Sequence, residues 1–227
     1  MDRFVGICWL ALLLSGSVAA QSDDWKSLIQ EARTLYRQGK YDRGVVVATK
    51  AREIAERELG PEHPAVATSL NILGLLYDVQ GQYAAAEPLY KRSLAIREKA
   101  LGPEHPDVAS SLNNLALLYQ AQGQYAAAEP LHKRSLAIRE KALGAEHPDV
   151  ASSLNNLAGL YQAQGQYAAA QPLYERALAI VEKALGPEHP YVAATLENVS
   201  SLYTSIGKAD EARQFADRAA KIRVLKR

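Results

Sequence analysis

A period of 42 residues runs through this chain and restricts what it can fold into. The period is marked by a glycine, followed after one residue by a tyrosine in all but the last case, at Gly39, Gly81, Gly123, Gly165 and Gly207. Residues 59–100 and 101–142 agree at 35 of 42 positions, and residues 101–142 and 143–184 again agree at 35. A fixed period of this length indicates a repeat array, in which each unit buries its apolar face by stacking on its neighbours. Such arrays form extended surfaces rather than enclosed reaction chambers.

The first 20 residues differ in character from the rest of the chain. An apolar run over residues 5–14 follows a short segment containing Arg3, and the small residues Val18 and Ala20 precede Gln21. This order is typical of a secretory signal peptide, so we predict that residues 1–20 are cleaved after Ala20 and that the mature chain is secreted or periplasmic. The apolar run is shorter than the about 20 residues that span a bilayer, which leaves an uncleaved anchor as the minor alternative.

Composition argues against several classes of function. The chain is 48% hydrophobic and 22% charged with a net charge of +1, which gives no electrostatic grip on nucleic acid or an anionic membrane. Cys8 is the only cysteine and lies within the predicted signal peptide, so the mature chain has no thiol for a disulfide, a metal site or a nucleophile. The sequence contains no Gly-rich phosphate loop and no convergent Ser, His and Asp. We expect a protein that is not an enzyme, with no cofactor, no metal, no nucleic-acid partner and no membrane insertion after signal cleavage.

Each repeat contains two helical segments, which residues 101–142 show most clearly. Pro106 suits the first position of a helix, where the missing N–H has no partner in any case. One apolar stripe follows at i, i+3, i+4 and i+7, formed by Leu112, Leu115, Ala116 and Tyr119. Gly123 supplies the left-handed residue that ends this helix. A second helix is predicted from about Gln124 to Leu143, with a local bend but no break at Pro130.

Helix pairs at a constant period predict an all-α fold of the αα-solenoid type over residues 21–227, with no second domain. The predicted units are about 25–58, 59–100, 101–142, 143–184 and 185–227. The first and last units depart most from the common pattern, as expected of terminal repeats that cap the array.

The repeat motif resembles a known family. The pattern Leu115-Ala116-x-Leu118-Tyr119, with Gly123-x-Tyr125 and Ala128, resembles a tetratricopeptide repeat. The run over residues 112–119, continued by residues 128–131 and 139–141, is similar to the repeats of kinesin light chains and their bacterial relatives, over about residues 25–225. The resemblance implies a right-handed superhelical solenoid of about five helix pairs. It also implies a protein-interaction scaffold, without implying motor function.

In that family the first helices of successive repeats line a concave groove that holds an extended peptide. The helix face opposite the apolar stripe carries amide side chains, which donate to and accept from a peptide backbone at once. The candidate groove residues are Asn71, Asn113, Asn114, Gln120, Asn155, Asn156, Gln162 and Asn198. The alternative is that one asparagine of each Asn-Asn pair bonds the helix of the neighbouring repeat. This face carries no Lys or Arg in the three central units, so capture of a C-terminal carboxylate is not expected.

The histidines are expected to be structural. Four of them lie one repeat apart in Glu-His-Pro loops, at His63, His105, His147 and His189. Ligands of one metal ion must converge to about 2 Å from it, so this spacing favours helix capping or loop packing. His132 takes the place of Tyr90 and Tyr174, and we interpret it as a packing variant without chemistry.

The sequence therefore predicts an exported scaffold that binds an extended peptide or partner segment in its groove, as a monomer or with weak self-association. The first alternative is a structural self-assembly module that uses its convex face or end caps. An enzyme is a distant third.

Overall fold

The computed structural model describes the backbone of residues 10–225 and the side chains of residues 24–225. This part of the chain contains ten α-helices and no strand, which confirms the all-α fold. The helices are α1 (Leu10–Arg37), α2 (Tyr41–Leu59), α3 (Pro64–Asp78), α4 (Tyr83–Leu101), α5 (Pro106–Ala121), α6 (Tyr125–Leu143), α7 (Pro148–Ala163), α8 (Tyr167–Leu185), α9 (Pro190–Ser205) and α10 (Ala209–Leu225).

The chain divides into two compact units, with the boundary in sequence between Ala100 and Leu101. In the N-terminal unit α1 packs on α2 and α2 on α3, and Ser93 of α4 donates a hydrogen bond to the carbonyl of Ala67 in α3 at 2.8 Å. In the C-terminal unit each helix from α5 to α10 packs on the next one along the chain. Packing of consecutive helices is typical of a tetratricopeptide-like array. The predicted domain and repeat boundaries stay predictions.

The histidine of each Glu-His-Pro loop begins a helix. His105 Nδ1 accepts a hydrogen bond from the backbone N–H of Asp107 at 3.1 Å, and His147, His189 and His63 make the same contact at the same distance. The bond satisfies one of the backbone donors that a helix N-terminus leaves without a partner. The predicted capping role is confirmed.

The glycines after the helices are left-handed, as the sequence predicts, and Pro130 does not break its helix, whereas the predicted local bend at Pro130 stays a prediction. Gly123 follows α5 with a φ of 71° and Gly144 follows α6 with a φ of 86°, both in the left-handed region that other residues avoid. Pro130 lies inside α6, which continues without a break to Leu143.

The core of the C-terminal unit lies between the first and second helices of each repeat. Leu112, Leu115 and Ala116 of the predicted apolar stripe are buried, and Tyr119 at its end is half-buried. Ser135 of α6 is fully buried and donates to the carbonyl of Ala109 in α5 at 2.8 Å. This packing turns the opposite side of the first helices away from the core and leaves it for other contacts.

No helix within residues 10–225 combines the length and the apolar character needed to cross a membrane. Residues 1–9, with the start of the predicted signal peptide, lie outside the described residues, and α1 runs through the predicted cleavage point between Ala20 and Gln21.

Candidate peptide-binding face

The predicted amide residues of the C-terminal unit lie on three helices, α5, α7 and α9. We call their shared surface the amide face, defined by Asn113, Asn114, Gln120, Asn155, Asn156, Gln162 and Asn198. The eighth predicted residue, half-buried Asn71, lies on α3 in the N-terminal unit.

A hydrogen bond between amides joins α5 to α7. Asn156 Nδ2 donates to Asn113 Oδ1 at 2.7 Å. The side chain of Asn113 is buried, whereas Asn114 and Asn156 are half-buried. Asn113 therefore has the role that the sequence left as the alternative, a bond to the neighbouring repeat. Contact of Asn113 with a peptide stays a prediction that its burial makes less favourable.

A second bond joins α7 to α9. Asn155 Nδ2 donates to Thr195 Oγ1 at 3.2 Å, and Thr195 in turn donates to the carbonyl of Tyr191 at 3.0 Å. Asn155 is 8% exposed, and its Oδ1 is buried without a hydrogen-bond partner. Asn198 of α9 occupies the repeat position of Asn156 and is exposed. The amide-to-amide bond of the preceding repeat is thus not repeated here.

Gln162 is engaged at both ends of its amide. Its Nε2 donates to Ser201 Oγ at 3.1 Å and to Ser205 Oγ at 3.3 Å, while its Oε1 accepts from the Tyr174 hydroxyl at 3.1 Å. These bonds fix the side chain between α7, α8 and α9.

Gln120 occupies the same repeat position as Gln162, but its Oε1 is buried without a partner. The difference follows from His132, which stands where Tyr174 stands in the next repeat and brings no hydroxyl to the amide. His132 is 1% exposed, and both of its ring nitrogens are without a partner. Burial lowers its pKa from 6.5 to about 4, so the neutral ring is the form that the fold holds. The sequence shows the substitution but not the unmatched polar atoms that accompany it.

The amide face carries no formal charge over α5 and α7. Residues 108–121 and 150–163 contain no Asp, Glu, Lys or Arg. Two ion pairs of the C-terminal unit instead join successive second helices, Arg176 to Glu140 at 2.7 Å and Arg218 to Glu182 at 2.5 Å. These side chains are partly exposed, so each pair contributes little to stability.

The N-terminal unit has a cleft that sequence reasoning missed. It lies between α1 and α3 and has a volume of about 400 Å³. Its lining consists of Gln30, Arg33, Tyr36, Arg37, Ile72 and Leu75. Arg33 and Arg37 lie one turn apart on α1 and are exposed, which gives this cleft a cationic character that residues 108–121 and 150–163 lack. The spacing of four residues between Arg33 and Arg37 is visible in the sequence, but the cleft itself depends on how α1 lies against α3.

Within residues 24–225, no group of three His, Cys, Asp or Glu side chains is placed to hold a metal ion. The amide face presents amides and hydroxyls, such as Asn156 and Ser201, and such groups bind by hydrogen bonding.

Comparison with known proteins settles the family. The tetratricopeptide repeat model matches residues 26–99, 79–141, 107–183 and 149–223. The chain belongs to the tetratricopeptide repeat family. No curated protein matched this chain.

Solved structures agree with this assignment. The nearly identical TPR-like repeats of a candidate kinesin light chain from Podosopora anserina are 32% identical with a TM-score of 0.72, covering 89% of this chain and 96% of that one. BtubC (BKLC) from P. vanneervenii is 25% identical with a TM-score of 0.73, covering 94% and 92%. The predicted kinesin-light-chain-like type is thereby confirmed.

A Rap protein in complex with Competence and Sporulation Factor has a TM-score of 0.75 at 16% identity, covering 88% of this chain and 54% of that one. At that identity the likeness concerns the fold alone. Tetratricopeptide repeat proteins generally act as non-enzymatic scaffolds that bind protein partners, in line with a face built of amides.

Proposed function

We propose that this tetratricopeptide repeat protein is an exported scaffold that binds an extended polypeptide segment along its amide face. The observation that carries the proposal is the fixed array of amides on adjacent first helices. The bonds from Asn156 to Asn113 and from Gln162 to Ser201 hold the side chains in place before any ligand arrives. Side chains held in this way lose little conformational entropy on binding, which favours affinity.

The amide face also retains hydrogen-bonding capacity. A side-chain amide has two N–H donors and an oxygen with two lone pairs, so the bond of Asn156 to Asn113 leaves its second N–H and its oxygen for other partners. Asn198 is exposed. An extended backbone offers alternating donors and acceptors that match such groups.

The absence of charge over residues 108–121 and 150–163 supports recognition of backbone and uncharged side chains rather than of a terminal carboxylate. The complex of a Rap protein with Competence and Sporulation Factor supports ligand binding as a use of this fold. Catalysis has no part in the proposal.

The test uses peptides selected from a displayed library of random unstructured sequences against the mature chain. We expect Asn114→Ala combined with Asn156→Ala to lower the affinity of selected peptides about tenfold, since each lost hydrogen bond contributes about 0.5–1.5 kcal/mol. Thr195→Val is the matched control, because it also removes a bond between repeats but changes a buried residue outside the amide face. Unchanged affinity of the double variant, measured where circular dichroism shows it to be folded, would remove these amides from the function.

Export is part of the proposal and rests on the order of the first 20 residues. Cleavage after Ala20 would leave the portion of α1 from Gln21 to Arg37, which includes the buried Ile29, Ala32 and Leu35. The mature chain thus keeps the core contacts of this helix.

Self-assembly is the second candidate, and one observation favours it. Val224 and Leu225 of α10 are 71% and 65% exposed, although the same repeat positions of α8 hold Glu182 and Lys183. Exposed apolar residues at charged positions are typical of a contact surface. Sedimentation of the mature chain tests this, with Val224→Glu and Leu225→Lys as the variant that restores the charged pattern. An oligomer that dissociates in this variant would support self-assembly.

A further inference from the structure

Three glycines lie inside helices within residues 24–225, and two of them have a packing reason. A Cβ on Gly44 would lie 2.7 Å from Leu76, and a Cβ on Gly74 would lie 2.7 Å from the ring of Tyr90. A Cβ at either position would force the Leu76 or the Tyr90 side chain to shift, which gives both glycines a packing reason.

Gly159 has no such reason. The nearest heavy atom to a Cβ at this position is the Tyr174 hydroxyl at 3.4 Å, which is an ordinary contact, and the backbone is not left-handed. Glycine inside a helix is about 0.5–1 kcal/mol less favourable than alanine. The fold would accept alanine here, so the glycine lowers stability without a packing reason.

The amide face surrounds this position on both sides. Asn156, one turn before Gly159, bonds Asn113 of α5 at 2.7 Å, and Gln162, one turn after it, bonds Ser201 of α9 at 3.1 Å. The other repeats hold Arg33, Leu75, Leu117 and Ser201 at this position. Gly159 therefore replaces a side chain of the face by a notch, with the Tyr174 hydroxyl beneath it.

The surroundings of the notch indicate what it accepts. Leu117, at the same position on the adjacent helix α5, is 37% exposed and presents an apolar surface. No residue of the two neighbouring segments 108–121 and 150–163 is charged. Asn155, four residues before Gly159, is 8% exposed and has a buried Oδ1 without a donor, so the polar groups of this part of α7 are incompletely satisfied by the protein itself.

We infer that Gly159 opens a specificity notch that accepts one large, uncharged apolar side chain of the bound segment, next to Leu117. The inference rests on the proposed function and adds the chemistry of one recognised residue. A leucine at this position, as in α3 and α5, would fill the space that the ligand side chain takes.

The experiment measures the peptides selected from the random library on the wild-type chain. We expect them to share a large apolar residue, and Gly159→Leu to weaken their binding about tenfold or more. Gly159→Ala is the smaller control, with an intermediate loss of affinity. In wild type, truncating the shared apolar residue of the peptide to alanine should have an effect similar to that of Gly159→Leu. In the Gly159→Leu variant the same truncation should have little effect, because the leucine has already removed the contact that the truncation removes.

A second variant separates a blocked notch from a disturbed fold. Gly159→Leu combined with Tyr174→His reproduces the pair Leu117 and His132 that the preceding repeat already holds, and it should fold and still bind weakly. Equal affinity of the selected peptides for wild type and for both leucine variants overturns the notch while leaving groove binding intact. Failure of wild type to select any peptide overturns the proposed function, and the notch with it.

Discussion

Replacing His132 by tyrosine is expected to stabilise the C-terminal unit and to remove part of its sensitivity to acid. His132 is 1% exposed with both ring nitrogens unpartnered, and the Oε1 of Gln120 is buried without a donor. One repeat later, the hydroxyl of Tyr174 donates to Gln162 Oε1 at 3.1 Å. His132→Tyr gives Gln120 the equivalent donor. A net gain of about 1 kcal/mol in the free energy of unfolding is expected at neutral pH, the usual contribution of such a bond.

The pH dependence gives a larger and more specific signal. Burial lowers the pKa of His132 from 6.5 to about 4, so between these values the unfolded chain binds a proton that the folded chain does not. Stability then falls as the pH falls from 6.5 towards 4 and levels off below. At about 1.4 kcal/mol per pKa unit, the loss from His132 is about 2 kcal/mol at pH 5 and about 3 kcal/mol in full.

Urea unfolding followed by circular dichroism, at a series of pH values from neutral to about 5, measures this directly. The stability difference between His132→Tyr and wild type should grow by about 2 kcal/mol over that range, whatever the carboxylates contribute to both proteins. Tyr174→His is the matched reverse change and should introduce the same pH dependence one repeat later. Parallel curves for wild type and His132→Tyr would refute a buried neutral imidazole.

Three further outcomes are expected. N-terminal sequencing of the exported protein should begin at Gln21, and a mature form that retains the first residue would contradict the predicted signal peptide. Deletion of residues 101–142 should leave a helical, folded and modestly less stable protein, because the remaining repeats are nearly identical at their interfaces; circular dichroism showing general loss of helix would contradict this. Asn113→Ala should lower the free energy of unfolding by about 0.5–1.5 kcal/mol in urea unfolding, since it removes the acceptor of Asn156, whereas exposed Asn198→Ala should leave it unchanged.

Much of the fold could be predicted because the signals repeat. The apolar stripe, the proline at the helix start and the glycine at the helix end are local, and each depends on backbone geometry that tertiary contacts do not change. Pro130 could be retained within a helix because the apolar periodicity continues through it. The capping by His105 was less certain from sequence, since histidine is not among the preferred caps, and only the geometry at 3.1 Å distinguishes it from loop packing.

The candidate site was less predictable, because a helical wheel gives directions and not contacts. Asn113 and Asn114 are neighbours in sequence, separated by about 100° around the helix, and that angle alone does not say which of them reaches the next repeat. The structure answers this for Asn113, through its bond with Asn156. The Arg33 and Arg37 cleft was missed for a different reason, since it depends on how α1 lies against α3.

The near identity of the repeats makes their few differences informative. Residues 101–142 and 143–184 differ at seven positions, and two of these differences meet at one point. Tyr174 replaces histidine and reaches Gln162, and its hydroxyl lies 3.4 Å from the place of a Cβ on Gly159, which replaces leucine. In residues 143–184, Gln162 Oε1 thus has a donor within the protein, and Gly159 leaves space on the outer face. In residues 101–142, Leu117 occupies that space and Gln120 Oε1 has no partner. The two repeats also differ in the core, where Ala177 replaces Ser135, so packing contributes to these changes, and the proposed ligand contact at the notch gives a reason for glycine rather than alanine at position 159.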